Sequence, residues 1–83
     1  MAPIARSPTQ LGHVIQRARK QQGMSQTQLA NLAGLRQEMV SKIEQGHEGT
    51  GLSSIFALFA ALDLEMVIEQ RSRSAVPSIE DIF

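Results

Sequence analysis

The sequence predicts a mainly α-helical bundle of four to five helices that closes on a single C-terminal β-strand. Three observations lead there. Apolar residues recur at helical spacing in successive segments up to Leu62, and cap-forming residues and glycines punctuate those segments. Between Leu64 and Glu69 the period drops to two, the mark of a half-buried strand. At 83 residues the chain is one small domain with a modest core, which a second copy would enlarge.

Residues 1–6 (MAPIAR) show no periodicity and are expected to form a flexible N-terminal arm. Ser7-Pro8-Thr9-Gln10 then supplies an N-cap, a proline at the first helical position and a glutamine three residues past the cap. Leu11, Val14, Ile15 and Ala18 follow at helical spacing, so the first helix should run to about Gln22 and stop at Gly23. Ser25-Gln26-Thr27-Gln28 repeats the capping pattern ahead of Leu29, Ala30 and Ala33, and Gly34 should end this second helix early. A third helix is expected from near Gln37, with Leu35, Val40 and Ile43 inward and Gly46 as its stop.

After a loop, Thr50 is the expected cap of a fourth helix. Its stripe of Leu52, Ile55, Phe56, Leu58, Phe59 and Leu62 is the most apolar in the chain and should be central to the core. Leu64, Met66 and Ile68 then alternate with Glu65, Val67 and Glu69. A lone strand leaves both edges unpaired and prone to aggregation. Pairing with the same strand of a second copy around a two-fold axis is the simplest remedy. Leu64, Met66, Val67 and Ile68 are therefore the expected dimer strand, with continuation of the fourth helix through Asp63 as the alternative. Residues 7–70 make the folded unit in this reading, and residues 71–83, ending VPSIEDIF, form a flexible acidic-hydrophobic tail.

Composition removes several function classes. With no cysteine, disulfide frameworks and Cys-based metal or redox sites are excluded. No apolar run approaches membrane-spanning length and no signal-peptide pattern opens the chain, so a cytoplasmic protein without a membrane partner is expected. Formal net charge is zero, but its distribution is uneven. Six bases face two acids before residue 48, and two bases face six acids from there on. A basic front and an acidic back suit two partners of opposite charge. His13 and His47 lack a second ligand at useful spacing, so no metal or other cofactor is expected. Ser25 and Ser53 have no accompanying base, so the chain does not read as an enzyme. Met24, Met39 and Met66 read as packing residues.

Two short helices meeting at Gly34 form a helix-turn-helix signature. Gly34 suits the positive φ of the turn, and Ala30 is small enough to let the helices approach. The third helix then presents its first polar residues outward, where they can enter a major groove. The stretch MSQTQLANLAGLRQEMVSKIEQG resembles the helix-turn-helix of the phage-repressor and Cro-like (XRE) family, in register at Gln26, Leu29, Ala30, Gly34, Val40, Ile43, Glu44 and Gly46. The SPTQL entry, the helix-to-strand ending and the apolar-acidic tail are similar to HipB-type antitoxins, DNA-binding dimers that also neutralise a HipA-type kinase toxin.

The resemblance implies a lambda-repressor-like fold and specific roles. Arg36, Gln37, Glu38, Ser41 and Lys42 would read base edges, which suits their chemistry: Arg or Lys bonds guanine, Gln pairs with adenine, and Glu38 either accepts from cytosine or repels phosphate and so sharpens specificity. Ser25, Gln26, Arg19, Gln45, Gly46 and His47 would meet phosphates, and Gln26 would also brace the third helix. Arg19 and Glu44 would form a partly exposed ion pair of modest strength, on the order of 1 kcal/mol. Ile79, Ile82 and Phe83 in the tail would either insert in a partner groove or form a disordered, protease-sensitive end. The implied function is a sequence-specific repressor of the bacterial nucleoid that binds a pseudo-palindromic operator in double-stranded DNA as a homodimer and restrains a HipA-like kinase toxin. A stand-alone phage or restriction-modification control repressor is the alternative.

Overall fold

The computed structural model describes residues 3–71, which contain four helices: α1 (Pro8–Gln21), α2 (Gln26–Ala33), α3 (Gln37–Glu44) and α4 (Leu52–Ala61). The upper end of the expected helix count is not reached among them. Ser7 caps α1 by accepting from the Gln10 N–H at 3.1 Å. At α2 the reciprocal box closes: Ser25 Oγ accepts from the Gln28 N–H at 3.0 Å, and Gln28 Oε1 accepts from the Ser25 N–H at 2.8 Å.

All four helices stop the same way. A residue at positive φ follows the last turn, and the next N–H reaches back to a carbonyl five residues earlier: Met24 to Arg19, Leu35 to Ala30, His47 to Lys42 and Leu64 to Phe59. Glycine provides the left-handed residue at three of these stops. At α4 it is Asp63, with φ 59°, the only non-glycine residue at positive φ among the described residues. Helix α4 therefore does not continue through Asp63. Its cap also differs from expectation: Gly51, not Thr50, occupies the N-cap, and no side chain bonds there.

Helix α3 packs on α1 and α2, and α4 packs on α2. Ile15, Leu29, Ala30, Val40, Ile43, Ile55, Leu58, Phe59 and Leu62 form the core, so every helix contributes. Truncating a fully buried member such as Leu58 to alanine would remove about 2–5 kcal/mol. The expected α4 stripe is wider than the face it buries. Leu52 and Phe56 remain 67 % and 49 % exposed, although both carry the helical apolar pattern. Phe56 meets only the edge of the Phe59 ring, with centroids 6.2 Å apart, and much of its surface stays open.

The expected strand is not formed. Residues 64–71 have no regular secondary structure, because a ladder needs a neighbouring strand and no other segment among the described residues is one. Leu64 folds back onto the core, while Met66, Val67 and Ile68 are exposed. The residues expected at the tail contact, Ile79, Ile82 and Phe83, lie outside the described residues.

Gly12, in the middle of α1, explains how α1 and α3 come so close. A Cβ there would sit 2.6 Å from the Glu44 carbonyl oxygen and closer still to that of Ile43. The two backbones touch, and no larger residue fits.

Candidate nucleic-acid interface

The helix pair α2–α3 turns at Gly34, where φ is 72° and the Leu35 N–H closes on the Ala30 carbonyl at 2.9 Å. Val40 and Ile43 are buried and fix α3 against the core. Gln37, Glu38, Ser41 and Lys42 then lie on the opposite side of the helix, while Glu44 is buried and Met39 rests on the core. Arg36, Gln37, Glu38 and Lys42 are exposed, and Ser41 is half-buried. Arg36 occupies the N-cap of α3 without a side-chain cap bond, so the first N–H groups of this helix remain for an outside acceptor.

Behind this face lies a chain of polar contacts. Arg19 Nε donates to Glu44 Oε2 at 2.7 Å and its second arm to Oε1 at 3.1 Å, a two-point fork. The remaining arm donates to the Met24 carbonyl at 2.8 Å. Gln26 Nε2 donates to Glu44 Oε1 at 3.0 Å, and Gln37 Nε2 donates to Gln26 Oε1 at 2.6 Å. The contacts thus run from a buried ion pair to the first residue of α3.

The ion pair is not partly exposed, as the sequence suggested. The Arg19 and Glu44 side chains are 10 % and 2 % exposed. Burial pushes the Glu44 carboxyl up, but the bonds from Arg19 and Gln26 and the charge of Arg19 outweigh it and hold the group below the usual carboxylate value. The Glu44 bond raises the Arg19 guanidinium, against burial. Arg19 is therefore turned inward as a strut, and its expected reach to a phosphate is reduced accordingly. Losing one partner of a buried pair costs about 3–5 kcal/mol, well above the surface-pair figure.

The other expected phosphate contacts divide by what their atoms already do. Ser25 Oγ accepts within the α2 cap, which leaves its hydroxyl proton free to donate. The N–H groups of Gln45, Gly46 and His47 are all taken by the α3 stop, bonding Ser41, Ile43 and Lys42 carbonyls. Only the side chains of Gln45 and His47 are exposed there. Gln45 in turn donates to Ser41 Oγ at 3.1 Å. Gly46 is needed twice over: its φ is 87°, and a Cβ would meet Thr9 Oγ1 at 2.7 Å.

Sequence reasoning missed Gly12, although an isolated glycine inside a helical pattern is a signal of close backbone approach. It also missed Gln22, whose Nε2 ties the end of α1 to the Leu62 carbonyl at 2.9 Å.

Comparison with known proteins gives the fold a family. A helix-turn-helix family model matches residues 15–68. The antitoxin HipB of Escherichia coli K12 is 31 % identical over 74 residues, covering 89 % of this chain and 84 % of that protein. A solved complex of HipA, HipB and O2–O3 contains a chain that superimposes with a TM-score of 0.77 at 30 % identity, over 83 % of this chain and 97 % of the other. The restriction-modification controller C.AhdI of Aeromonas hydrophila gives 0.65 at 34 % identity, over 70 % and 84 %. With its paired helices at Gly34 and this coverage, the chain belongs to the XRE-type family of DNA-binding helix-turn-helix proteins, and within it is similar to the HipB antitoxins.

Proposed function

We propose that this protein is a sequence-specific repressor that binds its own operator as a homodimer and serves as the antitoxin of a HipA-like kinase toxin. The observation that carries the reading is the exposed polar face of α3, held by Gln26 and Glu44 from behind. Arg36, Gln37, Glu38, Ser41 and Lys42 read bases in this proposal. Ser25, Gln26 and the side chains of Gln45 and His47 make the phosphate contacts, and Gly46 shapes the loop that presents the last two. Two copies place their α3 helices in successive major grooves of a pseudo-palindrome. The exposed Leu52, Phe56, Met66, Val67 and Ile68 support a dimer, with residues 64–70 pairing as strands across the two-fold axis. In this proposal the acidic back and the C-terminal segment serve the toxin. The protein acts without catalysis, in the cytoplasm at the nucleoid. Among the described residues no helix is long and apolar enough to cross a membrane.

The likeness to C.AhdI favours one second reading, a restriction-modification control repressor with no toxin partner. The gene beside this one separates the two: a kinase-like toxin supports the first, a restriction enzyme the second. The DNA reading itself is tested by gel shift on the upstream region of the gene. Arg36→Ala and Gln37→Ala should each weaken binding about five- to 150-fold, since one two-point base contact contributes about 1–3 kcal/mol. Unchanged binding by both variants removes the base-reading assignment.

A further inference from the structure

We propose that α3 carries a pocket for the 5-methyl group of a thymine, with Met39 as its floor and as a determinant of which base is read. The inference rests on the DNA-reading function above. The exposed side of α3 consists of two rows. Gln37, Ser41 and Gln45 form one, and its members are already tied: Gln37 to Gln26, Gln45 to Ser41. The other row frames an open depression of about 400 Å³ lined by Gly34, Leu35, Arg36, Glu38, Met39 and Lys42.

Leu35 and Met39 are half-buried and rest on the core, so the depression has an apolar floor. Arg36, Glu38 and Lys42 are exposed and form its rim, two cations to one carboxylate. Gly34 leaves one edge open, with no atom near the place a Cβ would take. Among the bases, only thymine presents an apolar group in the major groove, its C5-methyl beside the O4 acceptor. An apolar floor with a net-positive rim fits that pair of features. Cytosine offers a C–H and an amino donor instead; it gains nothing from the floor and meets two cations with the wrong polarity. The thioether of Met39 is flexible enough to close on a methyl group. No residue of the base-reading set has an apolar side chain, so the floor adds a discrimination that set lacks.

The test uses a duplex selected from a random library by the full-length protein. Each thymine is replaced in turn by deoxyuridine, which removes only the methyl group. At one position per half-site the wild-type protein should bind the uridine duplex about fourfold more weakly, the factor expected for one buried methyl group. Met39→Ser should bind the thymine and uridine duplexes equally, and Met39→Leu should keep the preference. Because the ratio is taken within one variant, a general loss of stability cancels. Tolerance of uridine at every position overturns the pocket while leaving DNA reading intact. A preference that survives in Met39→Ser overturns the assignment of Met39. Failure to select any duplex overturns both the pocket and the DNA-reading function.

Discussion

On the α1–α3 side, Arg19, Glu44, Gln26 and Gln37 bond one another in sequence, and among the described residues no buried side-chain polar atom lacks a partner. On the α4 side, Leu52, Phe56, Met66 and Val67 stand 67 %, 49 %, 44 % and 65 % exposed. The difference follows from the forces each side uses. Hydrogen bonds are directional, so a surface that reads by donors and acceptors must be aligned before it meets its ligand. Apolar burial is non-directional and grows with area, so a surface held by it can be completed by a second copy. One side is finished in the single chain; the other keeps apolar surface open, which the proposed dimer would cover.

The largest effect should come from breaking the finished side. Glu44→Ala leaves Arg19 buried without its anion and should lower the free energy of unfolding by about 3–5 kcal/mol in urea titration. The exposed Glu38→Ala should stay within about 0.5 kcal/mol. A loss below 1 kcal/mol for Glu44→Ala would show that the strut does not hold the fold. Protonation offers the same test without mutation. Glu44 lies lower in the folded state than in the unfolded one. Its stabilisation is then full above the unfolded value of about 4.3 and fades as pH falls through the folded value. A urea midpoint that declines with acid below that point in wild type, and does so less in Glu44→Gln, is the expected result.

A middle-sized effect belongs to the open side. Met66→Glu should leave the monomer fold unchanged by circular dichroism, because Met66 is 44 % exposed, yet weaken dimerisation at least tenfold in ultracentrifugation. An unaltered dimer would place the contact elsewhere. The smallest effect concerns the junction between the two sides. Asp63 holds a left-handed conformation that glycine adopts without steric penalty. Asp63→Gly should raise stability by about 0.5–1 kcal/mol, read as a small increase in melting temperature.

What the sequence made legible was local. Ser7 and Ser25 announce their caps within three residues, and Gly23, Gly34 and Gly46 announce their stops, because capping and chain reversal are decided by adjacent atoms. Asp63 escaped, since an aspartate takes the left-handed conformation far less often than a glycine and so marks a stop less clearly. The outward row of α3 was legible through family resemblance; its division into a tied row and an open one depends on Gln26 and Leu35, which other helices position. The depth of the Arg19–Glu44 pair was not legible, because burial is set by how closely α1 approaches α3, and Gly12 sets that. The exposure of Leu52 and Phe56 was hidden for the opposite reason. The apolar pattern marks Leu52 and Phe56 as able to pack and does not tell whether one chain covers them.

The run from Glu44 to Gln37 has a consequence best put as a matter of parity. A side-chain amide can face a neighbour with its nitrogen or with its oxygen, and two amides in series have several ways to stand. A carboxylate can only accept. Glu44 therefore compels Gln26 to turn its nitrogen inward and its oxygen out, and that oxygen compels Gln37 to offer a nitrogen. One buried charge thus chooses, at two removes, which end of Gln37 is spoken for and which donor and acceptor it has left to show. The grammar of the exposed edge is written by a residue that never touches it.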